Sequence, residues 1–271
     1  MKKLILLAAM AAVCAGCSSE KDERQVSEPT NVTITFSPYE VTEMTRTATS
    51  IATLVTHLDV WITDGTTVTD LHQTSGDSGF GSLSVTLDKT KTYTLYAVAH
   101  KADGATLTDG VVAFTDDKIT HSMYYSTTFS PATTTSLSCL MTRIVADFRL
   151  EITDDIPAEC KSFRFTVNGV FDRWNVTTGG THQLDRVSTI SYGGTSAIFN
   201  VYAIVTDAQT THDITVTALD ENDQEVQTRT FTNVPLRNGY KTTYRGTFFI
   251  DTPASAGFTV DDWNEYETVD F

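Results

Sequence analysis

In the stretch IVADFRLEIT, residues 144–153, apolar side chains occupy every second position and alternate with Asp147, Arg149 and Glu151. Successive residues of a β-strand point to opposite faces of a sheet, so this pattern predicts a strand with one buried and one solvated face. Such strands are typical of antiparallel sheets that pack a single face on the core. No long segment repeats apolar residues with the 3.6-residue period of a helix. The stretch therefore predicts an all-β fold.

Shorter runs with the same alternation begin at Val32, Leu58 and Leu83, and residues that favour turns separate them. The chain contains 49 threonines, whose β-branched side chains suit a pleated surface better than a helix. With 271 residues, of which 40% are hydrophobic, the chain can bury two cores of modest size. We therefore expect two β-sandwiches.

Two pairs of similar segments support a repeated sandwich. Leu58–Ile62 resembles Phe163–Val167 at an offset of 105 residues, and Tyr93–Ala99 resembles Phe199–Val205 at an offset of 106. Agreement between offsets indicates an internal repeat, although general β patterning could produce the same similarity. The expected organisation is a signal peptide at 1–16, a tether at 17–30, an N-terminal sandwich at 31–140 and a C-terminal sandwich at 141–271.

The N-terminus has the features of a targeting signal. Lys2 and Lys3 precede the ten-residue apolar run 4–13, about half of what a transmembrane helix needs. Small residues before Cys17 resemble the lipobox of bacterial lipoproteins, in which the cysteine receives palmitate-type acyl chains and becomes the first mature residue. The alternative is an ordinary secretory signal cut nearby. Several acyl chains on Cys17 would hold the protein at a membrane permanently.

Charge and motifs exclude several classes of function. Loss of Lys2 and Lys3 lowers the net charge from −15 to −17, and no basic cluster is available to bind nucleic acid. The histidines are scattered without metal-ligand spacing, so we expect no metal and no cofactor. The segment Gly76–Gly79 resembles the surroundings of a protease serine but fits a turn better. We find no clustered nucleophile and base, and therefore expect no enzyme.

Two other residue sets each have two interpretations. Cys139 and Cys160 could form a disulfide in an oxidising periplasm, or remain two buried free thiols, because spacing alone does not place them within bridging distance. A second set contains the three tryptophans, which could form a platform that stacks on sugars or could belong to the core. These are Trp61, Trp174 and Trp263.

Several short segments, taken in order, resemble the fimbrillin family of Bacteroidales surface lipoproteins, which supplies shaft, anchor and tip subunits of fimbriae. They are the lipobox at Cys17, Thr45–Ala48, Leu140–Ala146, Asp155–Pro157, Val234–Gly246 and Phe258–Trp263. The resemblance implies two transthyretin-like, Greek-key sandwiches and no enzymatic activity. It also implies polymerisation by strand donation after proteolysis removes an N-terminal strand. The acidic stretch 18–23 resembles the signal that sends such lipoproteins to the cell surface.

These features predict a functional site in the first strand. Val32, Ile34 and Phe36 form the apolar face of a removable strand, and a trypsin-like cut after Arg46 would release it together with Cys17. Arg46 could equally be an exposed loop arginine. Removal would uncover an apolar groove with unpaired backbone groups, which binds an incoming strand.

The expected partners are other fimbrial subunits through strand addition, the outer membrane through lipid on Cys17, and ligands on host or bacterial surfaces. The predicted function is a surface-exposed fimbrial subunit or accessory adhesin of the outer membrane. The alternative is a surface glycan-binding lipoprotein of a polysaccharide-uptake system that uses Trp or Tyr side chains.

Overall fold

The computed structural model describes residues 27–38 and 51–250, together with the backbone of the strand at 258–262. These residues form mostly β-strands, with short 3-10 turns at Ile51–Thr53 and Thr115–Asp117. The strands are β1 Pro29–Pro38, β2 His57–Thr63, β3 Val68–Thr74, β4 Ser82–Asp88, β5 Tyr93–His100, β6 Ala105–Thr108, β7 Val111–Phe114, β8 Met123–Phe129, β9 Ser136–Arg143, β10 Ala146–Ile152, β11 Ser162–Asn175, β12 Gly179–Ser191, β13 Ile198–Ala203, β14 Thr210–Leu219, β15 Glu225–Leu236, β16 Tyr240–Gly246 and β17 Phe258–Asp262. The predicted all-β class is confirmed. Within the described residues, no helix is long and apolar enough to cross a bilayer.

The first sandwich is one seven-stranded sheet folded over its own core. Its order is β3-β2-β5-β8-β9-β1-β4, and β8 joins β9 through only two paired positions, Met123 with Arg143 and Tyr124 with Thr142. The sheet turns at this short junction, so that β4-β1-β9 faces β8-β5-β2-β3 across a shared cluster of buried side chains. Inward residues of the strands alternate with outward ones, as in other sandwiches.

The second sandwich repeats this topology. One layer has the order β12-β11-β14-β15 and the other the order β13-β10-β16, extended by β17. In both sandwiches the first strand pairs in parallel with a strand that comes much later in the chain, β1 with β9 and β10 with β16. A second core, which includes Phe148, Phe163 and Phe165, lies between these layers. The strand orders therefore match element by element.

Of the two similar sequence pairs, one is equivalent in the fold and one is not. Leu58–Ile62 lies in β2 and Phe163–Val167 in β11, which occupy the same place in their sandwiches. Tyr93–Ala99 lies in β5, whereas Phe199–Val205 begins in β13, the counterpart of β4. The second similarity reflects general strand patterning, because buried β-branched and aromatic residues recur in both kinds of strand.

A third apolar cluster joins the two sandwiches. The hairpin β6–β7 leaves the first sandwich and pairs with the end of β11, where Val112 lies opposite Trp174. Trp61 and Val98, on the outer faces of β2 and β5, pack into the same cluster as Trp174 and Ile204. The connection therefore combines backbone pairing with buried apolar surface.

The expected boundary between residues 140 and 141 lies inside β9. This strand pairs with β1 and β8 as far as Arg143, so its full length packs with the first sandwich. The division into two sandwich domains, with β9 assigned to the first, is our proposal for the organisation of the chain.

Candidate functional site

Strand β1 is an internal strand of the first sandwich. It pairs antiparallel with β4, where Val32 lies opposite Val85, and parallel with β9, where Ile34 lies opposite Leu137. In the described sheet, β4 has no strand neighbour other than β1. We call the space between β4 and β9 the β1 slot. Both edges of β1 are thus used for backbone pairing, and its position determines that of β4.

The three predicted side chains of β1 all point into the core. Val32 and Ile34 have no exposed surface and Phe36 is 3% exposed, whereas the alternate residues Thr33 and Thr35 face solvent. The period-2 pattern in the sequence therefore corresponds to the burial pattern of the strand. The expectation that this segment is paired inside the first sandwich is fulfilled.

Both ends of β1 are held by contacts outside the ladder. At the N-terminal end, the amide of Lys89 donates to the carbonyl of Glu28 at 2.8 Å, and the two side chains form an ion pair. At the other end, the amide of Phe36 donates to the carbonyl of Gly81 at 2.8 Å. Gly81 has a φ of +86°, and a Cβ there would lie 3.1 Å from Ile51. Glycine is favoured at this position because a side chain with a Cβ rarely adopts this φ and would also crowd Ile51.

Cys139 lines the β1 slot. It lies opposite Phe36 in the parallel ladder between β1 and β9, and it is fully buried. Burial raises the pKa of the Cys139 thiol to about 12, so the thiolate that reacts with electrophiles is strongly disfavoured. This thiol becomes accessible only if its neighbours in the slot move.

The disulfide alternative for Cys139 and Cys160 is not what the structure contains. Both residues are free thiols, Cys139 in the core of the first sandwich and Cys160 in that of the second. Two cores separated by their own sheet layers keep the sulfur atoms apart. The interpretation as two buried free thiols therefore describes the fold.

Two predicted site residues, Cys17 and Arg46, lie outside the described residues. The proposed lipid anchor at Cys17 and the proposed cut after Arg46 therefore remain predictions from the sequence.

The tryptophan platform is not formed by the residues that the structure describes. Trp61 is 3% exposed and Trp174 is 8% exposed, and both belong to the apolar cluster between the sandwiches. Trp263 lies outside the described residues. Trp174 packs 5.6 Å from the ring of Tyr124, whose hydroxyl donates to the carbonyl of Val176. Because these two rings are enclosed, they cannot stack on a sugar, and the platform interpretation is wrong for Trp61 and Trp174.

Sequence reasoning missed a group of histidines. The register of β2 with its neighbours places His57 opposite His100, and Asp59 opposite His72. The buried carboxylate of Asp59 lies 2.8 Å from Nδ1 of His72 and 2.6 Å from Nε2 of His100. Burial and the two neighbouring rings lower the pKa of His57. No local signal could reveal this group, because strand register brings it together.

The histidine group has a structural role in the described part of the chain. His100 has no exposed surface and meets Phe114 edge-on at 5.4 Å, which links β5 to the hairpin β6–β7. Within residues 27–38 and 51–250, no three His, Cys, Asp or Glu side chains form a group that could hold a metal ion.

The fold, but not the sequence, is similar to known proteins. No protein-family model matches the chain, and no curated protein matches it. A candidate adhesin from Bacteroides ovatus has a TM-score of 0.52 at 12% identity, covering 85% of this chain and 96% of that one. A candidate adhesin from Bacteroides thetaiotaomicron has a TM-score of 0.50 at 11% identity, covering 89% and 98%.

The chain shares its fold with these Bacteroides proteins. A third structure, a candidate polysaccharide-binding protein from Bacteroides thetaiotaomicron, has a TM-score of 0.52 at 10% identity and covers 86% of this chain and 96% of its own. The fold that the resemblance to a Bacteroidales family implied is thereby confirmed.

Proposed function

We propose that this protein is a non-enzymatic subunit of a surface fimbrium, or an accessory adhesin, that joins other subunits through the β1 slot. The observation that carries the proposal is the position of β1, an internal strand held on both edges, with its apolar face buried and its N-terminal side connected to the predicted lipid site Cys17. The fold similarity supports a surface role, since two of the similar structures are described as adhesins.

The energetics of the slot favour strand addition. Full burial of one Val, Ile or Phe side chain stabilises a fold by about 1.5–3 kcal/mol, so loss of Val32, Ile34 and Phe36 would cost on the order of 5–8 kcal/mol. The facing edges of β4 and β9 would also lose their backbone partners. Another strand with the same alternation would restore both kinds of contact, which is the basis of β-strand addition.

The sequence around β1 suggests how the β1 slot would be emptied. A cut after Arg46 would separate β1 and Cys17 from the rest of the chain, freeing a subunit from the outer membrane. A chain that keeps both segments would stay anchored by its lipid. The proposal therefore includes a lipid-anchored form and a processed form, with fimbrial subunits as the partners of the latter.

Cys139 offers a direct test, because it lies in the slot opposite Phe36. Alanine at Cys14, Cys17 and Cys160 leaves Cys139 as the only thiol of the full chain. We expect a maleimide to react very slowly with the intact protein and much faster after limited trypsin treatment. Addition of a peptide with the sequence of residues 29–38 should slow the reaction again.

Two matched controls separate slot opening from general damage. Arg46→Gln should abolish the rise in Cys139 labelling, because trypsin then has no site at that position. A peptide carrying Ile34→Asp should fail to protect Cys139, since a carboxylate replaces a buried apolar side chain. Trypsin-treated protein in which Cys139 stays unreactive and which remains monomeric at high concentration would contradict assembly through the slot.

A further inference from the structure

A cleft lined by both apolar and polar side chains lies between the two sandwiches, away from the β1 slot. Its volume is about 700 Å³, within the range of small-molecule sites. One wall is formed by residues 186–190 of β12 and residues 200–202 of β13, and the other by the loop 116–121 together with Thr56 and Lys101. Because β12 and β13 are edge strands of facing layers, the cleft opens along the edge of the second sandwich.

Arg186 is the most unusual side chain of this cleft. Among the described residues, its guanidinium donates to the carbonyl of Ile119 at 3.2 Å and to Oγ of Ser188 at 3.4 Å, and no carboxylate forms an ion pair with it. Its Nε is buried without a hydrogen-bond partner in the described residues. Burial lowers the pKa of Arg186 to about 10, against the opposing effect of Asp172 and Asp117.

A largely buried guanidinium is normally compensated by an anion, because removing a charge from water is costly. Two of the five N–H donors of Arg186 have long hydrogen bonds to described protein oxygens. The planar guanidinium matches the geometry of a carboxylate, which it binds through two parallel hydrogen bonds. The cleft therefore contains a site for one negative charge.

The other polar groups of the cleft suit hydroxyls. Asn200 is 7% exposed, and its Oδ1 has no hydrogen-bond partner among the described residues. Asp116 and Asp117, on the opposite rim, are exposed, and their φ angles of 56° and 51° place both in the left-handed region. Carboxylate and amide oxygens accept hydrogen bonds from hydroxyl groups but repel additional negative charge.

The neighbouring His121 does not compete with Arg186 for an anion. Arg143 Nε donates to Nε2 of His121 at 2.9 Å, and Nδ1 of His121 lies 3.2 Å from the carbonyl of Leu54. This pair of contacts fixes the neutral tautomer, and burial lowers the pKa of His121 to about 3. Lys101 and Lys118 also line the cleft, and with Arg186 they face the two carboxylates of Asp116 and Asp117, so the described lining has one net positive charge and matches a ligand with one carboxylate.

We infer that the cleft binds a saccharide unit that carries a single carboxylate, such as a uronic acid, with the carboxylate on Arg186 and hydroxyls on Asn200 and the Asp116–Asp117 rim. An acidic peptide fits less well, because its repeated carboxylates would meet the two aspartates of the rim. The inference goes beyond the proposed assembly function and does not depend on the β1 slot.

The test uses the full chain with Cys17→Ala and short galacturonate oligomers, with binding measured by calorimetry. We expect binding at millimolar ligand or below, and we expect methyl esterification of the same oligomers to abolish it. Arg186→Gln should weaken binding at least tenfold, the effect of losing a charge-assisted bidentate contact. Arg245→Gln is the matched control, since the Arg245 side chain is 75% exposed and does not line the cleft.

Three outcomes would overturn the inference. The methyl ester binding as well as the acid would remove the role of the carboxylate. Equal weakening by Arg186→Gln and Arg245→Gln would indicate a general charge effect. Tighter binding of an oligoglutamate peptide than of galacturonate would assign the cleft to acidic peptides.

A second variant, Asn200→Ala, leaves the guanidinium in place and should weaken binding of the saccharide several-fold. With two variants, a folding defect of one of them does not decide the result.

Discussion

The buried imidazole of His121 makes the stability of the fold depend on pH. The ring accepts from Arg143 and faces the carbonyl of Leu54, and burial holds its pKa at about 3 instead of 6.5. Above pH 6.5 neither the folded nor the unfolded chain protonates this residue. As the pH falls below that value, only the unfolded chain takes up the proton, so stability is lost progressively toward pH 3.

His121→Gln tests this dependence, because Gln has no charged form but can accept from Arg143 and donate to Leu54. We expect the free energy of unfolding in urea to fall less between about pH 7 and about pH 5 in the variant than in the wild type, because unfolded His protonates in this window. Comparison of the two curves cancels contributions from the other histidines. Parallel curves would mean that His121 takes up its proton at the same pH in the folded and in the unfolded chain.

Gly180 provides a second test at the level of one residue. An added Cβ would lie 2.5 Å from Cδ2 of Phe171 and 3.1 Å from Cγ2 of Ile204, where β12 crosses the cluster between the sandwiches. We expect Gly180→Ala to lower the free energy of unfolding by about 1–3 kcal/mol, the usual cost of overpacking. Gly193→Ala is the control, since nothing lies within 4 Å of its Cβ position. Equal effects of both substitutions on the urea midpoint would contradict this account.

At the level of the element, β1 differs on its two faces. Ile34 is fully buried and Thr33, one position earlier, faces solvent. Ile34→Asp should destabilise the protein by more than about 3 kcal/mol, because it places an unpaired carboxylate in the core. Thr33→Asp adds the same charge to the same strand and should cost less than about 1 kcal/mol. Chemical unfolding followed by circular dichroism measures both, and similar losses would mean that β1 is not held in this register.

The inward face of β1 was predicted from side-chain alternation alone, and the prediction is confirmed. The strands that pair with β1 could not be predicted in this way. A parallel partner, β9, lies about a hundred residues away along the chain, and local sequence carries no record of which distant strand completes a pair. The same parallel pairing recurs between β10 and β16 in the second sandwich.

At the level of the whole molecule, the cluster around Trp61 and Trp174 joins the two sandwiches. Trp174→Ala should cost about 3–5 kcal/mol through the cavity it leaves, and it should separate the thermal unfolding of the two halves. Scanning calorimetry should then resolve two transitions where the wild type has one. Val68→Ala, at a side chain that is 58% exposed, should leave the profile unchanged. A single transition in the Trp174 variant would show that the remaining contacts, including the pairing of β7 with β11, are enough to couple the two halves.

The sequence by itself determined the all-β class and the inward face of β1. Each of these follows from composition or from side-chain alternation, which are properties of neighbouring residues. Tertiary structure decided the enclosure of Trp61 and Trp174, the separation of Cys139 from Cys160, the histidines around Asp59 and the cleft at Arg186. These depend on register and packing between distant strands, where backbone pairing and shared burial set the distances.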